Sequence, residues 1–281
     1  MMGTLRLGAV TLLVLVLVQA PWASGQSQLP VVPPEFYEGF RRIEGDRITF
    51  CIDTRSYTAD FDRSVAEAIA EALLLEPSIY EIEATYGIDA EFFFDDLFIW
   101  LTDHCDAYMG YSVLPQAVPD WLTPTQPYAS FRYVVAARDP SVWTLTDVPL
   151  SEPIGSQMVG VGDRALIAFL QARPAASRWR RIPYADNALL VQRLLDGSVG
   201  AILIWEPALL ELTDGDPEAA GVHVIDASQL GNLYVPSGMV LRQQEAFVRD
   251  QIDTAIEALI ANGTIARILE EHGLPGIPGG P

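Results

Sequence analysis

Lysine is absent: all 17 basic residues of this 281-residue chain are arginine. That excludes Schiff-base chemistry, pyridoxal phosphate enzymology and a Walker-type phosphate loop, each of which needs a lysine amine. Positive charge is scarce altogether, with 37 acidic residues and a formal net charge of -20. Such a surface repels polyanions, so nucleic acid is excluded as a partner. Only three histidines are present. His104, His223 and His272 are far apart, none beside a serine or cysteine elbow, and no HExxH or Cys/His cluster occurs. The expectation is no enzyme, no cofactor and no metal. Acidic pairs such as Asp95-Asp96 read as a solvated face.

What is present is apolar material, 50% of residues, enough for a real core and for two domain-sized bodies. The N-terminus carries Arg6, an apolar run Leu7–Val18, and small residues Ala23 and Gly25. This reads as a secretory signal peptide over residues 1–25, the run being short for a membrane span. Cleavage there would remove Arg6 and no acid, taking the net charge from -20 to -21. The mature protein is then expected in the periplasm with no membrane span. Export sets the reading of Cys51 and Cys105, because two cysteines in an exported chain usually pair. A redox or metal pair is the competing reading, weakened by the lack of a second ligand at metal spacing around Cys51 and complicated by His104 beside Cys105.

Residues 26–45, with Pro30, Pro33 and Pro34, read as an extended lead-in. From Arg47 the patterns alternate: a strand Arg47–Asp53, a helix with apolar residues at Val65, Ile69 and Leu73, a strand Tyr80–Ala84, a helix through Leu97 and Leu101, and a strand Asp106–Gly110. That order implies a parallel sheet, with ligands at the carboxyl ends of its strands. After Tyr133–Ala137 the pattern restarts: a strand Met158–Val161, a helix Asp163–Leu170, a piece at Ile182, a helix Ala188–Leu195, then strands at Ala201–Trp205, Val222–Ile225 and Gly238–Leu241. A last helix, Ala246–His272, is interrupted at Asn262-Gly263, which also fits a glycosylation sequon with Thr264. Residues 275–281 read as a flexible tail.

Gly160-Val161-Gly162-Asp163-Arg164-Ala165 matches a dinucleotide fingerprint in letters. Its strand is short and no acid falls at a clear strand end twenty residues on. The plainer reading is a helix start that holds an anionic group or is capped by Asp163. Aromatic residues at strand ends and loops, Tyr57, Tyr111, Trp121, Tyr128 and Trp205, are candidates to line a site, or are ordinary packing.

Several segments resemble the extracellular solute-binding proteins of family 3, receptors for ABC importers. Phe61-Asp62 before an apolar helix is similar to the family's Gly-Phe-Asp segment. Cys105–Gly110 resembles its third strand, Gln126-Pro127-Tyr128 its Ser-x-Pro-Tyr element, and Gly197–Ala201 its Gly-x-x-Asp-Ala strand. The resemblance implies an α/β, two-lobed type II periplasmic-binding-protein fold with two crossovers: lobe one at 46–137, lobe two at 138–232, and a return to lobe one at 233–274. It also implies a monomer that delivers a small-molecule solute to an ABC transporter permease. The implied ligand contacts are Asp53, Tyr57, Tyr111, Trp121 and Tyr128 with Gly162, Asp163, Trp205 and Glu206. Two departures stand out: Val113–Thr125 lacks the arginine that clamps an amino acid's carboxylate, and Gly200 stands where the family has Asp. With Asp53, Asp163 and Glu206 in the set, a neutral or cationic solute is expected. The missing arginine, the cysteine pair and the segment Asp120–Tyr128 also resemble accessory proteins of PQQ-dependent methanol and alcohol dehydrogenases, which makes a quinoprotein dehydrogenase or its cytochrome the alternative partner.

Overall fold

The computed structural model describes residues 45–83, 90–114, 118–231 and 233–281, with the side chains of 90–92 set aside. The expected signal peptide, nearly all of the lead-in, and Ala84 lie outside the described residues. Those described belong to one compact unit.

The first half opens with β1 (Arg47–Asp53), α1 (Ala59–Ala72), β2 (Glu76–Ile82), α2 (Ala90–Asp103) and β3 (Ala107–Ser112). β1 pairs in parallel with both β2 and β3. It is buried on both faces from Ile48 to Ile52, which is why it reads as a β-branched and aromatic run without polar alternation. α1 lays Phe61, Val65, Ile69 and Ala70 on one face of this sheet. On the other face Leu97 and Leu101 of α2 pack around Cys51 and Cys105, which form a disulfide. β2 begins four residues before the expected Tyr80. It is the edge strand, so its side chains are largely exposed and give a weak apolar signal.

β4 (Leu122–Pro124) and β5 (Ala129–Ala137) follow. The second half contains β6 (Ile154–Gln157), α3 (Val161–Gln171), β7 (Arg181–Tyr184), α4 (Asn187–Leu195), β8 (Ala201–Trp205), α5 (Glu206–Glu211) and β9 (His223–Ile225). The chain then returns through β10 (Tyr234–Arg242), α6 (Ala246–Ala261), α7 (Thr264–Glu271) and β11 (Ile277–Pro278). The strand expected at Met158–Val161 is displaced: the strand ends at Gln157, and Met158–Gly160 form a turn with Val159 at φ 71°. The Val159 N–H donates to Asp163, so the turn is closed by the first turn of α3.

One long strand belongs to both halves. Residues 129–132 of β5 pair antiparallel with β10, whereas residues 133–137 pair with β8. The sheet order is β2-β1-β3-β10-β5-β8-β6-β7. Beyond the change of partner, α3 covers one face of the second sheet with Leu166 and Leu170, and α4 and α5 cover the other with Leu190, Leu194 and Leu209. Residues 275–281, expected as a flexible tail, are strapped down instead. Ile277 pairs with Ser130, Ser130 Oγ donates to the Gly279 carbonyl at 2.7 Å, and Gly279 N–H donates to the Tyr128 carbonyl at 2.9 Å. Backbone pairing fixes this tail, and its Pro/Gly composition does not signal that.

Candidate functional site

β1 ends at Asp53, and the loop behind it is held by short local bonds. Thr54 N–H donates to the Ile82 carbonyl, Arg55 N–H to Asp53, and Ser56 and Thr58 share a hydroxyl bond. Thr58 then donates to Asp62 at 2.9 Å, and Tyr128 donates to the other carboxylate oxygen at 2.6 Å. Gly110, the left-handed residue of β3 at φ 72°, passes so close that a Cβ there would sit 3.0 Å from Asp62. Its N–H donates to the Tyr128 hydroxyl. Asp62 is 1% exposed. Burial pushes its carboxyl up to about 7, and the Tyr128 and Thr58 hydroxyls pull against that rise. The same burial, and the carboxyl beside it, push the Tyr128 phenol well above its ordinary value.

Three of the expected ligand contacts are therefore core residues. Tyr128 is fully buried and committed to Asp62. Trp121 is buried edge-on against Phe98, at 5.2 Å between ring centres. Tyr111 is buried in the same cluster, which packs around the disulfide. Each reads as a strand-end aromatic in sequence, but the pleat of β3 turns Tyr111 inward, Phe98 of α2 covers Trp121, and Tyr128 is turned to Asp62.

In the second half the charged candidates are already partnered. Arg132 holds Glu206 in a fork, both bonds at 2.7 Å. Arg181 holds Asp163 the same way at 2.6 and 2.7 Å, and Ser156 adds a third bond at 2.6 Å. Burial alone would raise Asp163, but Arg181 and Ser156 hold it below the usual carboxylate range. Gly162 faces the Tyr133 ring, where any Cβ would collide. The start of α3 is thus covered by a phenol.

What the fold does bring together is Tyr57, Trp205 and Asn187. They stand at the carboxyl ends of β1, β8 and β7 respectively, where parallel strands present ligands. Trp205 packs against both the first core cluster and the one under α4 and α5. Its ring meets Phe131 edge-on at 5.7 Å and Tyr57 edge-on at 6.4 Å. Burial, with the nearby Asp186 and Glu211, holds the Tyr57 phenol above its ordinary value, and the Asn187 side chain pulls against that rise. Two buried atoms here have no hydrogen-bond partner among the described residues: Trp205 Nε1 and Asn187 Oδ1. Beside Tyr57 a cleft of about 460 Å³ runs between the β1–α1 loop and α5, lined also by Ser56, Phe61, Pro207, Glu211 and His272.

The fold is shared with solved structures. The fold is that of the type II periplasmic binding proteins. The second substrate-binding domain of Lactococcus lactis GlnP, in an open conformation, matches with a TM-score of 0.60 at 18% identity over 83% of this chain and 98% of that one. The second substrate binding domain of a putative amino acid ABC transporter from Streptococcus pneumoniae matches at 0.60 and 13% identity, over 80% and 99% of the two chains. An ancestral arginine-binding protein, bound to arginine, matches at 0.54 and 16% identity, over 81% and 98%. An ancestral amino-acid-binding protein described as a precursor of cyclohexadienyl dehydratase matches at 0.56 and 15% identity, over 80% and 95%. No family model and no curated protein matches the sequence. The narrower resemblance to dehydrogenase-associated proteins finds no support among these matches.

Sequence reasoning misses Asn187, Arg132, Arg181 and Asp62 as parts of this region. Asn187 follows Asp186, whose carboxylate caps α4 through Leu189 N–H, and a cap at a strand end was the available signal. The arginine forks carry no local signal, because their partners lie 74 and 18 residues away. Among the described residues no group of three or more His, Cys, Asp or Glu side chains is placed to hold a metal, and no helix is long and apolar enough to cross a membrane.

Proposed function

We propose that the chain is an extracytoplasmic solute-binding protein that hands a small molecule to an ABC-type importer. Its lobes would be residues 46–137 with 233–274, and residues 138–232, with an N-terminal signal removed on export. The observation that carries this reading is the convergence of Tyr57, Trp205 and Asn187 at three strand ends, with two buried polar atoms left unpartnered. Such atoms are few in native proteins, and a bound solute would supply the partners that these two lack. The similarity to amino-acid-binding proteins supports the reading through the fold alone. A solute held there would draw the two halves together, because its contacts are stronger in the closed arrangement.

The test is thermal unfolding and titration calorimetry of the mature chain against a solute panel, with tryptophan emission followed in parallel. A bound solute at about 100 times its Kd adds roughly 2.7 kcal/mol to stability and shifts the melting temperature upward. Emission should change with it, since Trp205 lies in the contact. Saturable binding that leaves emission unchanged, and survives Trp205→Ala, would place the solute elsewhere.

A further inference from the structure

We infer that Ser56 is a solute-reading group of the cleft, and that the proton on Asp62 switches its hydroxyl between donor and acceptor. This rests on the solute-binding reading above and adds a contact residue and a means of controlling it. One hydrogen-bond chain runs from the core to the cleft wall. Gly110 N–H donates to the Tyr128 hydroxyl at 2.9 Å, and Tyr128 donates to Asp62 Oδ1 at 2.6 Å. Asp62 Oδ2 lies 2.9 Å from Thr58 Oγ1, which lies 3.1 Å from Ser56 Oγ. Asp62, Tyr128 and Thr58 are buried, and Thr58 and Ser56 line the cleft.

Each hydroxyl has a single proton, and that fixes the direction of the chain in both states of Asp62. Tyr128 already accepts from Gly110, and its other neighbouring hydroxyl, Ser237 Oγ, is 3.4 Å away, so its proton stays on Asp62 Oδ1. A proton on the carboxyl therefore sits on Oδ2 and points at Thr58. When Asp62 is ionised, Thr58 donates to it and Ser56 donates to Thr58, which leaves the Ser56 oxygen only lone pairs for a solute. When Asp62 is protonated, it donates to Thr58, Thr58 donates to Ser56, and the Ser56 proton is set free. A solute acceptor is favoured in the protonated state and a solute donor in the ionised one. Burial brings Asp62 up to about 7, so the reversal falls near neutral pH. Around Asp62 stand the Tyr128 phenol of β5 and the Tyr108 phenol of β3, with Asp53 at the end of β1. Asp60 and Glu211 line the cleft, and His272 packs on Phe61 and bonds to Ser64 of α1.

The experiment follows the Gly110 amide and Ser56 Cβ resonances of the mature chain, its disulfide intact, from pH 5 to pH 9. In the wild type both should move in one transition near pH 7. Asp62→Asn, whose amide oxygen can take the Tyr128 bond and whose amide N–H the Thr58 bond, should hold both at their low-pH positions. Thr58→Val should leave the Gly110 transition in place and reduce that of Ser56 severalfold, and Thr58→Ser should restore it. If Thr58→Val does not fold, wild type against Asp62→Asn carries the comparison. His272 is common to all these chains, so any transition of its own persists in Asp62→Asn at an unchanged midpoint. A second arm incubates wild type and Asp62→Asn with a bacterial metabolite extract at pH 6 and pH 8 and measures the small molecules retained after desalting. Affinity of the wild type should differ about tenfold between the two pH values, and that of Asp62→Asn should not. A Ser56 transition undiminished in Asp62→Asn or in Thr58→Val, or equal pH dependence of retention in the two proteins, overturns the inference and leaves solute binding intact. Retention of nothing at either pH overturns solute binding and with it the solute role of Ser56, while the resonances separately show whether the chain reverses.

Discussion

Asp62 makes stability depend on pH in a direction opposite to that of an ion-paired carboxylate. Its folded-state value is about 7 against an ordinary 3.8, so the folded chain holds this proton more tightly than the unfolded chain does. The contribution is fully present below the unfolded value and disappears as pH rises through the folded one. At about 1.4 kcal/mol per unit, the whole effect is roughly 4 kcal/mol, of which about 2.5 kcal/mol is lost between pH 5 and pH 8. The charged neighbours do not reverse the sign. Asp53 and Asp62 both act on the buried Tyr108 phenol, and no arginine faces Asp62 in its bonding. Urea melts of wild type and Asp62→Asn at the two pH values isolate the term, because the histidines and other acids are common to both. The wild type should lose about 2.5 kcal/mol more than the variant on going from pH 5 to pH 8. Tyr128→Phe removes a hydroxyl that favours the carboxylate and should move the transition to higher pH. It also strips the Gly110 N–H of its acceptor, a cost of about 1–3 kcal/mol at any pH. If Asp62→Asn shows the same pH dependence as wild type, Asp62 does not hold its proton in the folded chain and the reasoning fails.

Reducing the Cys51–Cys105 bond, which closes a separation of 54 residues, should cost about 4 kcal/mol by loop entropy, and urea melts with and without reductant measure it. Removing residues 275–281 deletes the bonds from Ser130 Oγ and from Gly279 N–H, so a chain ending at Leu274 should be destabilised by about 2 kcal/mol, with faster hydrogen exchange in β5. Arg132→Ala leaves Glu206 buried without its fork, a cost of about 2 kcal/mol once discounted for the half-exposed arginine, whereas the double change Arg132→Met with Glu206→Leu should recover most of it, as thermal melts will show.

The alternation of strands and helices was legible because each half is built on a parallel sheet, whose buried strands are continuous apolar runs. β1 and β8 match their expected bounds residue for residue. β2 and β6 were legible only as displaced pieces. β2 is an exposed edge, and β6 has the short sequence Ile-Gly-Ser-Gln, in which Gly155 is pressed against Leu190 and Ser156 serves Asp163. The aromatic candidates were identified by position along the strands, which finds Tyr57 and Trp205 at the parallel strand ends. Position alone does not reveal which way the pleat turns Tyr111, or that Tyr128 points at a carboxyl 66 residues away. The acid candidates looked like ligand contacts because the sequence shows charges and hides their partners.

Those partners matter at two ranges. Far from the protein, the net charge of -20 disfavours the approach of anions, an effect that falls off over about 8–10 Å in physiological salt. Close in, Arg132 and Arg181 each have a nearly fully buried carboxylate across two short bonds, so each pair presents little net charge. The long-range field and the local pairing therefore act in the same sense, against an anionic solute. Cations are favoured by the field and by Glu211, which lines the cleft beside Tyr57, while Glu206 and Asp163 are already paired. At the proposed site, selection at contact distance would come from ring packing around Tyr57 and Trp205.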